Sequence, residues 1–135
     1  MKSVVSKIAA LLSLLFLLTC KGPSLFDDFS VRPKTISVDA KGGEYKITSD
    51  PFDCVYILVN NESFETERLN TQTGSKTYSV SGGWLSVSFK SSDGERPTNV
   101  QVLVEENKTG ESRDATIIVS NIIDGDGRVK VKQSK

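Results

Sequence analysis

The sequence predicts an all-β protein, an antiparallel two-sheet sandwich of about eight strands. Three observations predict it. Apolar and polar residues alternate with period two along most of the chain after residue 33, the mark of strands that cover one face. Clusters of glycine, asparagine, aspartate and serine interrupt these runs at turn spacing. No window of helical period with capping residues follows the first twenty residues. Many short strands at such spacing pack best as two facing sheets.

The chain opens on a different kind of segment. Lys2 and Lys7 precede the apolar run Ile8 to Leu18, which ends at Thr19-Cys20. A basic start, a short apolar stretch and a small residue before the cut form a secretory signal peptide. The run is about half the ~20 residues that span a bilayer, so a transmembrane anchor is the weaker reading. The cysteine at the cut, with Leu17 three residues before it, resembles a bacterial lipoprotein signal. Thr19 departs from the glycine, alanine or serine preferred there. That resemblance implies removal of residues 1–19, diacylglycerol on the Cys20 thiol and acylation of the new amine. It also implies a membrane partner through the lipid and a place in the outer membrane or on the cell surface. Residues 20–33 read as a tether, because Lys21-Gly22-Pro23-Ser24 breaks both periods. Asp27-Asp28, between Phe26 and Phe29, read as solvated linker; the alternative is a surface-export address, for which they come late after Cys20.

The domain is expected over residues 34–135, and its strands follow in order. Ile36 and Val38 share a face, and Ala40-Lys41-Gly42-Gly43 is a turn. Tyr45 and Ile47 point inward between Glu44, Lys46 and Thr48. Cys54 to Val59 is apolar on both faces and predicts a covered strand. Phe64 to Leu69 is weakly patterned, an edge or a loop. Thr77 to Val80 is a short strand before Gly82-Gly83. Leu85, Val87 and Phe89 then alternate with serine and lysine; Val100, Val102 and Val104 repeat the pattern, as do Ala115, Ile117 and Val119. Val129 and Val131 alternate with Lys130 and Lys132. Ile47, Val87, Val102, Ile117 and Val131 form the predicted core. Asp124-Gly125-Asp126-Gly127 reads as a hairpin turn rather than a calcium loop, since it lacks the later bidentate glutamate.

Composition narrows the function. The chain has 17 basic and 17 acidic residues, and loss of Lys2 and Lys7 with a leader tips the remainder slightly acidic. No basic face for nucleic acid is expected. The chain holds 2 cysteines and no histidine. With Cys20 acylated, Cys54 has no disulfide partner and reads as a buried, inert thiol. Without histidine, the commonest general base and transition-metal ligand are missing. Glu105-Glu106 are adjacent on an expected strand and would face opposite ways. Glycine-rich phosphate loops and nucleophile elbows are absent as well. The expectation is a protein that is not an enzyme, with no catalytic residue, no metal and no cofactor.

Several pieces in order resemble the BACON domain, the Bacteroidetes-associated carbohydrate-binding, often N-terminal module. They are Gly42-Gly43-Glu44-Tyr45-Lys46-Ile47, Trp84-Leu85-Ser86-Val87, Asn107, then Arg113-Asp114-Ala115-Thr116-Ile117-Ile118-Val119, and finally Val129-Lys130-Val131-Lys132-Gln133. The resemblance implies an immunoglobulin-like sandwich and a non-catalytic, glycan-binding role. Pro51 to Gly83 is longer than the family's usual link, so an inserted hairpin is expected at about residues 51–83. The matched residues also have structural readings. Gly42-Gly43 permits positive φ, Gln133 shares a face with Val129 and Val131 and can satisfy backbone groups with its amide, and Arg113 can fix a turn.

Three aromatics are candidates for carbohydrate contact: Tyr56, Tyr78 and Trp84, with Asn60, Asn61 and Gln72 as polar neighbours. Alternation sets Trp84 with Ser86 and Ser88, opposite Leu85. The preceding glycines also allow it to pack into the core or over a sheet end. The partner is then a polysaccharide or host glycan, such as mucin. The alternative is a structural spacer or assembly module that docks another envelope protein, marked by a bare edge strand or an apolar patch.

Overall fold

A computed structural model describes residues 29–69, 75–92 and 94–135. The expected signal peptide, Cys20, the acidic pair Asp27-Asp28 and Gln72 lie outside the described residues. Ten strands and no helix occur among those described. They are β1 (Val31–Arg32), β2 (Thr35–Val38), β3 (Gly43–Ser49), β4 (Cys54–Val59), β5 (Glu62–Glu65), β6 (Lys76–Ser81), β7 (Leu85–Ser91), β8 (Asn99–Val104), β9 (Arg113–Asn121) and β10 (Gly125–Gln133). One sheet has the order β1-β3-β8-β7-β6 and the other β2-β10-β9-β4-β5. This is the predicted all-β sandwich, with two strands more than expected.

Both extra strands have a physical reason. β5 is the weak Phe64 segment: it holds the edge of its sheet, where one face and one side stay open and little alternation is demanded. β1 falls inside the stretch assigned to the tether, so the domain begins by Phe29 rather than at residue 34. Phe29 and Val31 are buried, and both press on Gly127, where a Cβ would overlap the Val31 methyls. Two residues are too few to alternate visibly, and only the partner strand reveals them. The sheets are also not wholly antiparallel. After β1 the chain crosses at the cis Arg32-Pro33 bond into the second sheet and runs parallel to β10, Lys130 opposite Thr35 and Gln133 opposite Val38. The other recorded strand pairs are antiparallel.

The core fills the space between the sheets. The predicted inward set, Ile47, Val87, Val102, Ile117 and Val131, is buried as expected. Phe52 packs edge-on against Phe89, with ring centroids 4.9 Å apart. Among the described residues every buried side-chain nitrogen and oxygen has a hydrogen-bond partner.

The sandwich has two distinct ends. At the Phe29 end, the Ser30 amide donates to Asp50 Oδ2 at 2.9 Å. Asn121 Nδ2 donates to the Pro51 carbonyl at 2.7 Å. Buried Asp53 receives the Ile122 amide on Oδ2 at 3.0 Å and pairs through Oδ1 with Arg96 Nε at 3.0 Å. A carboxylate taken out of water is tolerable because both oxygens are engaged. The Gln133 end carries the Gly42 turn, the loop after β8 and the end of the last strand. Glu105 and Glu106 sit in that loop, one step past β8 rather than on it. β8 stops at Val104 because Gly43, its partner, is the first residue of β3.

Candidate functional site

The residues that carry the family resemblance meet at the Gln133 end. Gln133 is buried, and its amide works in both directions, as the sequence predicts. Nε2 donates to the Asp39 and Glu105 carbonyls at 3.1 and 2.8 Å, while Oε1 accepts from Arg113 Nε at 2.8 Å. Arg113 Nη2 reaches the Glu106 carbonyl at 3.2 Å. Its guanidinium lies over the Trp84 ring, 4.5 Å from the centroid. Asn107 Nδ2 donates to the Glu111 and Ser134 carbonyls at 2.7 and 3.1 Å. Gly42 has φ 79°, and a Cβ there would overlap the Val104 carbonyl, so the turn demands glycine. These residues latch the two sheets together. Open space of about 690 Å³ lies beside them; there Arg113 Nε and Nη2 and both amide atoms of Gln133 are held by the latch.

Trp84 belongs to this latch. It is half-buried and packs against the core, and Arg113 occupies one ring face. Its carbonyl accepts the Glu105 amide at 2.8 Å. Trp84 is therefore a sheet-end packing residue. Tyr78 is a correction: it is 4% exposed and stacks on Phe89 with centroids 5.0 Å apart. On β6 its position shares the inward face with Val80, so its ring is core material and offers no platform to a sugar.

Tyr56 has a different setting. Cys54 to Val59 reads as a strand covered on both faces; the structure covers the inner face fully and the outer face fully only at Cys54. Val55, Ile57 and Val59 enter the core; Cys54, Tyr56 and Leu58 point outward from the second sheet. Thr66 closes over Cys54, whose sulfur lies 3.4 Å from the Thr66 carbonyl, so this thiol is buried as predicted. Tyr56 and Leu58 remain half-buried.

Register defines what surrounds them. One row across the sheet runs Glu65, Tyr56, Ile118, Arg128. The next runs Ser63, Leu58, Thr116, Lys130, Thr35. Asn60 and Asn61 close the β4–β5 hairpin, both at positive φ of 51° and 65°. That pair makes the tight turn matching the twist of a two-residue hairpin, within the stretch 51–83 where the sequence predicts a hairpin. A groove of about 700 Å³ lies between this turn and the sheet, lined by Leu58, Asn60, Asn61, Asp114, Thr116 and Lys130. The Tyr56 phenol is held above its ordinary range, chiefly by the neighbouring Cys54, whose thiolate would repel a phenolate, and then by burial. It therefore stays a neutral donor and acceptor at physiological pH.

The face thus joins Tyr56 and Leu58, with Ile118 buried beside them, to amides, a carboxylate, a hydroxyl and an ammonium. The sequence candidates Tyr56, Asn60 and Asn61 come together here; Tyr78 and Trp84 do not. Leu58, Asp114, Thr116 and Lys130 are additional. Alternation places them outward, but their neighbourhood follows from the order β10-β9-β4, which no local pattern encodes. Among the described residues no group of three acidic or cysteine side chains is placed to hold a metal ion.

Comparison with known proteins separates fold from function. The BACON family model, described as "Putative binding domain, N-terminal", matches residues 70–134. The chain carries a BACON-like domain. The matched stretch includes Trp84, Asn107, Arg113 and Gln133, most of the latch, and leaves out the β4–β5 hairpin. Among solved structures, a Bacteroides ovatus GH5 xyloglucanase in complex with a XXXG heptasaccharide aligns with TM-score 0.50 and 24% identity, covering 79% of this chain and 19% of that chain. This likeness shows a shared fold over part of a much longer protein. WR4, a C. elegans MSP family member, aligns with TM-score 0.33 and 14% identity, covering 78% of this chain and 95% of that one; so loose a likeness carries no weight. No curated protein matches the chain. The family match thus covers most of the latch and none of the β4–β5 hairpin.

Proposed function

We propose that this BACON-like domain is a non-catalytic glycan-binding module carried by a lipid-anchored envelope protein. One observation carries the reading: half-buried Tyr56 and Leu58 lie beside a groove whose hydrogen-bonding side chains make no recorded bond to other described residues. A pyranose presents C–H groups on one face and hydroxyls at its rim. Tyr56 and Leu58 suit the first, and Asn60, Asn61, Asp114, Thr116 and Lys130 suit the second. The family's description as a binding domain supports the role.

A shallow site with one aromatic binds weakly, so a dissociation constant of about micromolar to millimolar is expected, roughly −4 to −8 kcal/mol. Many anchored copies on one membrane raise avidity with no new contact. The test is an NMR titration of labelled residues 29–135 with a xyloglucan heptasaccharide, mucin O-glycans and a broader oligosaccharide panel. Shifts are expected at Tyr56, Leu58, Asn60, Asn61 and Thr116, and Tyr56→Ala abolishes them while the remaining spectrum keeps its dispersion. A domain silent to the whole panel overturns the reading. Shifts centred on Trp84 and Arg113 overturn the assignment of the face.

A further inference from the structure

The β9–β10 hairpin ends in two exposed isoleucines. Ile122 is 70% and Ile123 67% exposed, far more than other large apolar side chains among the described residues. Their backbone is firmly held. The Ile122 amide donates to buried Asp53 at 3.0 Å, and Asn121 Oδ1 accepts the Ile123 and Asp124 amides at 2.9 and 3.3 Å. Asp53 is itself fixed by Arg96, and Asn121 by the Pro51 carbonyl. Two β-branched side chains are thus presented to solvent by a rigid base at a cost in apolar exposure.

This tip stands at the Phe29 end. Phe29 and Val31 pack on Gly127, just after the hairpin turn. The Ser30–Asp50 contact sits beside the Pro51–Asp53 segment that grips Asn121 and Ile122. Cys20 precedes Phe29 by nine residues, and nine residues reach at most about 30 Å. A β10 strand of 9 residues is itself about 30 Å long. A tether of that length lets the isoleucine tip reach the bilayer, and a domain standing on that tip holds the Asn60-Asn61 groove most of a strand length beyond it.

We propose that Ile122 and Ile123 dip into the lipid interface and stand the domain upright on the membrane, with the groove outermost. This rests on the lipid-anchor reading above. Two side chains are too few to hold a free domain on a bilayer, but they suffice to orient one already tethered, where the encounter is intramolecular. Exposed Asp124 and Asp126 flank the tip, so it suits a zwitterionic surface better than an anionic one.

The full chain, purified with its native lipid, is placed in phosphatidylethanolamine–phosphatidylcholine nanodiscs containing doxyl-labelled lipid. Amide relaxation is then read along the domain. Relaxation enhancement is expected to be at least fivefold greater at Ile122 and Ile123 than at Asn60, Asn61 and Gly110, and to collapse in the Ile122→Ser/Ile123→Ser variant, whose changes touch no core residue. Equal enhancement at both ends, or an unchanged profile in the double variant, overturns the proposal. A parallel sample carries a maleimide lipid coupled to Cys20, with Cys54 protected by burial. Palmitate labelling of the native chain and its Cys20→Ala variant tests the anchor on its own. Absent labelling with a quenched tip in the coupled sample defeats the anchor reading alone; labelling with an unquenched tip defeats the orientation alone.

Discussion

Replacing Gln133 tests whether the family signature is structural. Gln133→Leu keeps the side-chain volume and deletes three hydrogen bonds of 2.8, 2.8 and 3.1 Å. Each affected partner keeps some company. The Asp39 carbonyl still accepts the Gly42 amide at 3.2 Å, and the Glu105 carbonyl keeps a long contact with Arg113 at 3.4 Å. The loss is therefore about 1 kcal/mol per bond rather than the full penalty of orphaned groups, roughly 2–3 kcal/mol in all. With a urea m-value of about 1.5 kcal/mol per M, the midpoint should fall by roughly 1.5–2 M. Gln133→Glu gives the sharper contrast. A carboxylate still accepts from Arg113 but cannot donate, and it sets a negative oxygen about 3 Å from two carbonyls. It should unfold at lower urea than Gln133→Leu at neutral pH. Equilibrium urea unfolding followed by Trp84 fluorescence reads both, since the indole sits under Arg113. A shift below about 0.5 M for Gln133→Leu, or a Gln133→Glu variant as stable as the parent, would refute the latch.

Other expectations follow from burial and local charge. Ile117→Ala, at a fully buried site in the middle of β9, should cost roughly 2–5 kcal/mol in the same assay; a change under 1 kcal/mol would place the core elsewhere. Tyr78→Ala should cost about 3–5 kcal/mol through loss of its packing against Phe89, while Tyr78→Phe should leave glycan titrations unaltered. Tyr56 should ionise above the ordinary tyrosine range, and Cys54→Ala should bring it down, because the neighbouring thiolate is the main cause. Its folded pKa is raised, so the stability linked to it is intact below the unfolded value near ~10 and is lost as pH rises through the folded one. Phenolate absorbance against pH measures this, and an unchanged Tyr56 titration in Cys54→Ala would contradict it.

Much of the architecture is legible in the sequence because burial acts locally on strands. Ile47, Val87, Val102, Ile117 and Val131 announce their faces by alternation alone, and each is buried. Gly42 and Gln133 are also readable: one must take positive φ, and the other is an amide on an inward face with nowhere to go but backbone. Length-limited elements escape the same logic. β1 has two residues, too few for a period, and its place depends on the cavity over Gly127.

The candidate site was less legible, for a reason particular to sandwiches. Tyr56 and Tyr78 look alike in sequence, each an aromatic in a short apolar strand. β6 turns Tyr78 into the core beside Phe89, whereas β4 turns Tyr56 outward, next to Ile118 of β9. Which face of a mixed strand is covered depends on what the opposite sheet supplies, and that is a long-range fact. By itself the sequence determined the all-β class, the inward set, the glycine turn and the amide latch, since each follows from the period or chemistry of neighbouring residues. Tertiary structure alone decided that β10, β9 and β4 lie side by side, bringing Lys130, Thr116 and Leu58 into one row, and that Ile122 and Ile123 stand at the end where the chain begins its fold. Strand order joins residues far apart in sequence, and pairing energy between backbones carries almost no mark of which strand the partner is.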